Sequence, residues 1–185
     1  MDRDLVERAR SGDQEAFADL VHQVSDTLFG IARRILRDPE LAEDVLQNAL
    51  VTIWRKLPGL READRFEGWA YRILVNACYA DAPRNRRWAQ TIRELPADRA
   101  DLRDDFRTIH DRDELERAFR RLPLDQRAVF VLHHHVGLPL VVVAETLGIP
   151  DGTARSRLHY ATRALRAAFE EARAASTQLQ GEQLA

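Results

Sequence analysis

Residues 140–172 read LVVVAETLGIPDGTARSRLHYATRALRAAFEEA, and they hold the most informative pattern in the chain. A short apolar segment, Leu140 to Leu147, is followed by Gly148-Ile149-Pro150 and then by a long segment with helical periodicity. Two helices joined by a tight turn that contains glycine form a helix-turn-helix. In the second helix, four residues at helical spacing are expected to face inward: Ala154, Leu158, Ala161 and Leu165.

The outward face of this second helix is basic. The segment from Thr153 to Arg166 contains four arginines and no acidic residue. An α-helix fits the major groove of DNA, where arginine can contact phosphates or the acceptor edge of guanine. A solvated amphipathic helix with surface arginines would show the same pattern, but the preceding helix and turn favour DNA binding.

Three further helices are predicted in the first half of the chain. Apolar residues recur every three or four positions from Phe17 to Ile35. Asp38-Pro39 ends that helix and starts the next, which stops at Pro58-Gly59. A third helix runs from about Phe66 to about Asp81, where Pro83 limits or kinks it.

The segment between the two helical units is acidic. From Pro96 to Glu114 there are seven acidic residues against four arginines, with little periodicity. Two more helices follow, near residues 114–121 and 125–136, before the helix-turn-helix. We therefore predict an all-α protein with two small helical domains, residues 1–88 and 113–175, an acidic flexible linker at 89–112 and a disordered tail at 176–185.

Composition excludes several classes of protein. Hydrophobic residues make up 45% and charged residues 31%, no apolar run approaches the roughly 20 residues of a membrane span, and Cys78 is the single cysteine. These features favour a soluble protein of the cytoplasm. His133, His134 and His135 point about 100° apart on a helix and cannot converge on one metal ion. We predict no metal, no cofactor and no catalytic residue.

The third helix combines aromatic and basic side chains. Phe66, Trp69 and Tyr71 precede Arg72 and Asn76, and an arginine cluster follows. Aromatic rings that stack on bases, beside cations that hold the backbone, are typical of single-stranded DNA recognition. Phe66, Trp69 and Ile73 are more simply core residues. The helix from residue 38 to 56 has an acidic and polar face, which physical reasoning alone assigns to solvent.

Three stretches resemble a known family. Residues 38–57, DPELAEDVLQNALVTIWRKL, and residues 66–81, FEGWAYRILVNACYAD, are similar to the second conserved region of extracytoplasmic-function (ECF) sigma factors of bacterial RNA polymerase. Residues 122–169 resemble their fourth region. The resemblance implies a non-enzymatic subunit that binds core RNA polymerase and directs promoter-specific transcription initiation. It also implies regulation by an anti-sigma factor.

The resemblance assigns roles to individual residues. Contacts to the −35 duplex are implied for Thr153, Arg155, Ser156, Arg157, His159, Tyr160 and Arg163. Contacts to the melted −10 element are implied for Arg72, Asn76, Arg84, Arg86 and Arg87. Asp44 and Gln47 are implied to contact the β′ clamp helices, and the β flap is the other expected polymerase contact. The chain departs from the family pattern at Pro83, Asn48, Tyr160, Val141 and Val142.

Two other classes of protein remain open at this point. A dimeric helix-turn-helix regulator would explain residues 113–172 but would leave residues 1–88 without a role. A helical adaptor that never touches DNA would not need the arginines. The sequence also leaves open whether the two domains are splayed on the linker or packed together, and whether Val141 and Val142 form a partner surface.

Overall fold

A computed structural model describes the backbone of residues 2–89 and 115–183, and the side chains of residues 2–81 and 115–171. Every regular element in these ranges is helical, which confirms the all-α prediction. The α-helices are α1 (Arg3–Arg10), α2 (Gln14–Leu36), α3 (Pro39–Lys56), α4 (Phe66–Ala89), α5 (115–121), α6 (Leu124–Phe130), α7 (Leu140–Leu147) and α8 (Asp151–Gln183). Short 3-10 turns cover Leu57–Gly59 and Ala63–Arg65, and a π-helical turn, Val131–His135, extends α6.

Aspartates start the helices of the first domain. The Asp13 carboxylate accepts a hydrogen bond of 3.0 Å from the amide of Ala16, and Asp38 accepts one of 3.0 Å from Leu41. These carboxylates satisfy amides that have no partner within the helix, and their charge suits the positive end of the helix dipole. The sharp connection from α2 to α3 passes through Arg37, whose φ of 60° is left-handed.

Helices α1 to α4 form the first domain around an apolar core. The apolar stripe predicted for α2 has a buried residue in every turn of the helix, as its three- and four-residue spacing requires. Its fully or nearly fully buried members are Leu20, Val24, Leu28, Ile31 and Ile35. Opposite them lie Val45, Ala49 and Ile53 of α3 and Phe66, Leu74 and Val75 of α4. This packing fixes which faces of α3 and α4 remain outside.

Helices α5 to α8 form the second domain. Leu122, Ala161 and Leu165 form a small core, against which Phe119 and Phe130 pack. The Phe119 and Phe130 rings meet edge to face, with centroids 5.6 Å apart. Helix α8 is thereby fixed along one side, and its opposite side is left exposed.

Three helices differ from the sequence prediction. Helix α1 was not predicted, although its Leu5, Val6 and Ala9 are buried. Helix α4 continues through Pro83 to Ala89, so Pro83 does not end it. Helix α8 is helical to Gln183, beyond the end expected near Ala172 and into the predicted tail, since alanine and glutamine there favour helix. The predicted linker lies outside the described residues except for its first position.

The two domains are packed together, which the sequence left undecided. Ala128, Val129, Val131, Leu132 and Val143 of the second domain belong to the same continuous core as the first domain. Helices α2 and α4 lie against α6, its π-helical turn and α7. Among the described residues, no helix combines the length and apolar character that a membrane span requires.

Candidate nucleic-acid interface

The helix-turn-helix is closed by backbone hydrogen bonds around Gly148. This residue has φ 65° and ψ 37°, a left-handed conformation that glycine adopts without steric cost. The amide of Ile149 donates to the carbonyl of Ala144 at 3.0 Å, and that of Gly148 donates to Glu145 at 3.2 Å. The carbonyl of Pro150 then accepts from Thr153 and Ala154 at the start of α8. The glycine at position 148 is therefore what allows α8 to start so soon after α7.

The outer face of α8 presents a set of polar and basic side chains. Arg155, Ser156, His159 and Arg163 are exposed and lie within about one quarter of the helix circumference. Arg155 is held by Asp151, with Nη2 and a carboxylate oxygen 2.7 Å apart. Thr153 is half-buried at the edge of this face. The exposed residues form one surface, which we call the α8 face, and it has the size and charge to enter a major groove.

Arg157 lies away from the α8 face. Two residues correspond to about 200° around a helix, so Arg157 is almost opposite Arg155. Its Nε lies 2.9 Å from a carboxylate oxygen of Asp125 in α6, and only 26% of the side chain is exposed. The sequence expected Arg157 on the outside, but this geometry gives it a role in joining α6 to α8.

Tyr160 lies at the edge of the α8 face beside an open groove. The ring is 56% exposed, and the ring of His159 contacts it at a centroid distance of 5.7 Å. The groove, of about 540 Å³, runs between α8 and the start of α6. Small residues of α8, Ala164, Ala167 and Ala168, form part of one wall. Tyr160 therefore faces both the predicted DNA surface and this groove.

Helix α4 presents Arg72 and Asn76 one turn apart on its exposed side. Phe66 is buried and Trp69 half-buried, with their rings 6.0 Å apart, so both act mainly as core residues. The structure thus separates the aromatic core positions of this helix from its polar surface. Arg84, Arg86 and Arg87 lie on the helical backbone of α4, but their side chains fall outside the described residues.

Helix α3 has a continuous exposed stripe that includes Asp44 and Gln47. Two large apolar residues, Val51 at 54% and Trp54 at 38% exposure, extend the same stripe. The Trp54 ring contacts Phe17 of α2 at a centroid distance of 4.6 Å. Sequence reasoning missed Val51 and Trp54, although their spacing of seven and ten from Asp44 was a signal for one helix face. Such a mixed polar and apolar strip is suited to binding another protein.

The three consecutive histidines have separate partners. His133 Nδ1 lies 2.8 Å from the carbonyl of Leu138, and the His134 ring packs on Phe130 at 4.5 Å between centroids. His135 lies near Gly30 of α2. Among the described side chains, no three histidine, cysteine or carboxylate groups are placed to hold a metal ion.

Comparison with known proteins agrees with this arrangement. The model of sigma-70 region 2 matches residues 20–89, and that of sigma-70 region 4 matches residues 112–165. The RNA polymerase sigma-H factor of Pseudomonas aeruginosa is 30% identical over 183 residues, which cover 91% of this chain and 94% of the relative. The ECF RNA polymerase sigma-E factor of Haemophilus influenzae is 30% identical over 169 residues, covering 85% and 89% of the two chains.

A solved structure shows the same fold. The structure of CnrH in complex with the cytosolic domain of CnrY superposes with a TM-score of 0.67 at 27% identity, covering 92% of this chain and 97% of that chain. The matched segments are those that contain the α3 stripe, the polar side of α4 and the helix-turn-helix. The chain therefore belongs to the ECF family of RNA polymerase sigma factors.

Proposed function

We propose that the α8 face reads the −35 element of the promoter as duplex DNA. The observation that supports this most directly is the grouping of Arg155, Ser156, His159 and Arg163 on one exposed side of the second helix of the helix-turn-helix. Phosphate contacts by the arginines would orient the domain, and contacts to base edges would select the sequence. Thr153 and Tyr160 border this face. Arg157 would act by holding α8 against α6.

The polar side of α4 would bind the non-template strand of the melted −10 element. Arg72 and Asn76 offer a cation and an amide one helical turn apart, which suits a sugar-phosphate backbone and the edge of an unpaired base. Arg84, Arg86 and Arg87 would extend this strand-binding surface along the helix. Because bases are captured only after they leave the stack, the binding free energy would favour an open duplex.

The α3 stripe would bind the β′ clamp helices of core RNA polymerase through Asp44 and Gln47. Two exposed polar residues next to exposed Val51 and Trp54 supply both charge complementarity and apolar contact area. The second domain would contact the β flap. In this role the chain performs no bond chemistry, and it would work in the cytoplasm, where RNA polymerase acts.

An anti-sigma factor is the expected regulatory partner. CnrH, to which this chain is similar, was solved in complex with the cytosolic domain of CnrY. A partner of this kind would prevent access of the chain to polymerase or to promoter DNA. The charge and apolar area of such a partner would have to complement the α3 stripe, the polar side of α4 or the α8 face.

Transcript-start mapping after overexpression of the chain tests the proposed function. Promoters that respond should share two elements, and run-off transcription from one of them should require both core polymerase and this protein. Arg155→Ala should lower that transcription by about tenfold or more, since one good base contact contributes about 1–3 kcal/mol. Arg65→Ala, which removes another exposed arginine far from α8, is the matched control.

The polymerase contact has its own test. Asp44→Ala should weaken the affinity for core polymerase, whereas Glu43→Ala, an adjacent exposed carboxylate about 100° around α3, should not. If promoter fragments bound to the isolated chain at nanomolar concentration and physiological salt, and core polymerase added nothing, a conventional helix-turn-helix regulator would be the correct function instead.

A further inference from the structure

Arg155 of the α8 face is held at two nitrogens by one carboxylate oxygen. Its Nε donates a hydrogen bond of 2.9 Å to Oδ2 of Asp151, and its Nη2 lies 2.7 Å from the same oxygen. The two residues are four positions apart in α8, so they lie on the same side of the helix. Their side chains are 72% and 44% exposed, and an ion pair so exposed adds little to the stability of the fold. What the pair does determine is the direction of the guanidinium.

The carboxylate leaves one edge of the guanidinium free. This group is planar and carries five N–H donors in a fixed arrangement. Asp151 occupies the edge formed by Nε and Nη2. The edge formed by Nη1 and Nη2 points away from the stem of the side chain and keeps two parallel N–H groups. Two parallel donors match the N7 and O6 acceptors that guanine presents in the major groove. The edge of Arg155 that suits guanine is therefore the one that stays available.

The place of Arg155 in α8 favours a contact to a base. Asp151 and Arg155 lie in the first two turns of the helix, and the N-terminal residues of the second helix of a helix-turn-helix are those that reach base edges. Arg163 lies about 12 Å further along the same face. Among the side chains that the structure describes, Arg163 has no carboxylate partner. Arg163 therefore remains free to follow a phosphate, whereas Arg155 is oriented in advance.

The charge of Asp151 also affects binding to DNA of other sequences. Every duplex presents phosphates, and a basic side chain gains non-specific affinity from each phosphate that it neutralises. A carboxylate oxygen 2.7 Å from Nη2 offsets much of the charge of Arg155 and itself repels phosphates. A contact to guanine depends on the direction of the donors, so it is weakened less. The pair therefore lowers the affinity for wrong sequences more than the affinity for the right one.

We infer that Asp151 is a specificity-determining residue for the −35 element, which holds the Arg155 guanidinium in the orientation that reads a guanine and reduces its attraction to phosphates. Asp151 acts through Arg155 and is thus a positioning residue. The inference rests on the proposed reading of the −35 duplex by the α8 face. It requires a guanine at the base pair that Arg155 contacts, and it requires the preference for that guanine to depend on the carboxylate.

Base preference measured in transcription tests the inference. Full-length protein and core polymerase transcribe a library of promoters in which each position of the mapped −35 element carries all four bases, and the transcripts are counted by sequencing. Arg155→Ala should abolish a preference for guanine at one position, which identifies the contacted base pair. Asp151→Ala should lower that same preference about fivefold or more and leave the other positions unchanged. Loss of folded protein would instead lower transcription from every promoter alike.

Two further variants separate the carboxylate from other effects of the substitution. Asp151→Glu keeps a carboxylate four positions before Arg155 and should retain the preference for guanine. Glu170→Ala is the matched control, because it removes another exposed carboxylate of α8, about 28 Å further along the helix. It should change no base preference.

Affinity for duplex DNA without a −35 element is the second measurement. Asp151→Ala holoenzyme should bind this DNA about twofold or more tightly than wild type at low salt, and its affinity should fall more steeply as salt is raised. Asp151→Glu and Glu170→Ala should match wild type in both respects. Weaker or equal binding by Asp151→Ala would overturn the inferred effect on phosphate contacts.

The base preferences distinguish failure of the inference from failure of the proposed function. An unchanged preference for guanine in Asp151→Ala, at the position that Arg155→Ala makes neutral, would overturn the inference and leave the proposed function standing. A preference for another base at that position, or an equal loss of transcription from all promoters, would also overturn it. If Arg155→Ala altered no base preference within the −35 element, the proposed reading by the α8 face would itself be wrong.

Discussion

Arg155 and Arg157 show how two arginines in one periodic segment acquire different roles. Both belong to the basic run that the sequence assigned to the outside of α8. The structure leaves Arg155 mostly exposed with Asp151, whereas Arg157 is turned toward Asp125 of the preceding helix. Arg155 can therefore contact DNA at little cost in free energy, because its side chain is already exposed. Arg157 would have to break a half-buried ion pair before it could reach a phosphate.

Cys78 is expected to be unreactive in the folded protein. Burial raises the pKa of its thiol from 9.0 to about 12, which corresponds to about a thousandfold less thiolate at pH 8. Iodoacetamide should therefore modify native Cys78 very slowly and should modify it fully in guanidinium chloride. Mass spectrometry of samples quenched over time measures both rates. Rapid labelling of the native chain would contradict the burial of this residue.

Tyr79 has a buried hydroxyl for which the described part of the chain provides no hydrogen-bond partner. Burial raises the pKa of this phenol to about 12. Tyr79→Phe should leave the free energy of unfolding unchanged or raise it by up to about 1 kcal/mol, because the desolvation cost of the hydroxyl is removed. Urea denaturation measures the change, with Tyr160→Phe at an exposed ring as the control. A loss above about 1 kcal/mol would mean that the hydroxyl does have a partner.

At the scale of elements, the turn at Gly148 joins two requirements in one residue. The residue at this position must adopt a left-handed backbone to end α7. It must also lack a side chain, because a Cβ atom there would clash with the guanidinium of Arg72 of α4. The first requirement is visible in the sequence as a glycine between two helical segments. The second arises from a residue 76 positions away and becomes visible only when the domains are packed.

Gly148→Ala separates these two requirements. The left-handed conformation alone should cost about 1 kcal/mol of unfolding free energy, and displacement of Arg72 should add to this cost. Gly137→Ala is the matched control, since Gly137 also has a positive φ of 82° but has open space around it. In the Arg72→Ala background, the two glycine substitutions should cost the same. An equal cost in the wild-type background would show that Arg72 does not approach the turn in solution.

Most helices were predictable because each carries its own signal. The stripe of α2, the Asp38-Pro39 start of α3 and the helix-turn-helix all depend on residues within a few turns of one another. Helix α1 was missed because its apolar residues, Leu5, Val6 and Ala9, are too few to stand out between charged neighbours. The end of α4 was misplaced because proline is a local signal, and the structure continues the helix past it.

The candidate site was predictable in part for a similar reason. Exposed polar positions on α3, α4 and α8 follow from periodicity, and the resemblance to ECF sigma factors assigned them roles. The position of Arg157 against Asp125, and that of Arg72 against Gly148, depend on contacts between distant segments. Such contacts leave no periodic signal in a single sequence.

At the scale of the whole molecule, one continuous apolar core couples the two domains, so they are expected to unfold together. All three tryptophans, Trp54, Trp69 and Trp88, precede residue 90 and report on the first domain. Far-UV circular dichroism reports on all helices. The two signals should follow the same urea transition in the wild-type chain.

Loss of the Arg127 side chain should uncouple the unfolding of the two domains. Arg127→Ala removes the 2.6 Å hydrogen bond to Ile35 and about 2 kcal/mol of stability, and the two transitions should then separate. Arg120→Ala, which breaks a half-exposed ion pair with Glu116, should cost less than about 1 kcal/mol and keep them together. Separate transitions in the wild-type chain would show that the contact between the two domains does not couple their unfolding.

Acid should weaken the folded molecule in a pH range set by His134 and His135 of the π-helical turn. Burial and the nearby Arg34 of α2 lower the pKa of His135, and burial with His133 lowers that of His134. The unfolded chain, with a histidine pKa of about 6.5, therefore binds more protons than the folded chain as the pH falls below that value. The stability contributed by the neutral rings is complete above about pH 6.5 and declines below it.

Melting temperatures measured at constant ionic strength should fall as the pH is lowered from about 7.5 to 5.5, with a smaller fall for His135→Gln. The pH dependence that remains in His135→Gln is expected to come from His134. The melting temperature of a variant with both histidines replaced by glutamine should therefore change even less with pH. Identical pH profiles for all three proteins would show that protonation of these histidines is not linked to folding, and that the packing of His135 toward Gly30 and Arg34 adds no pH-dependent stability.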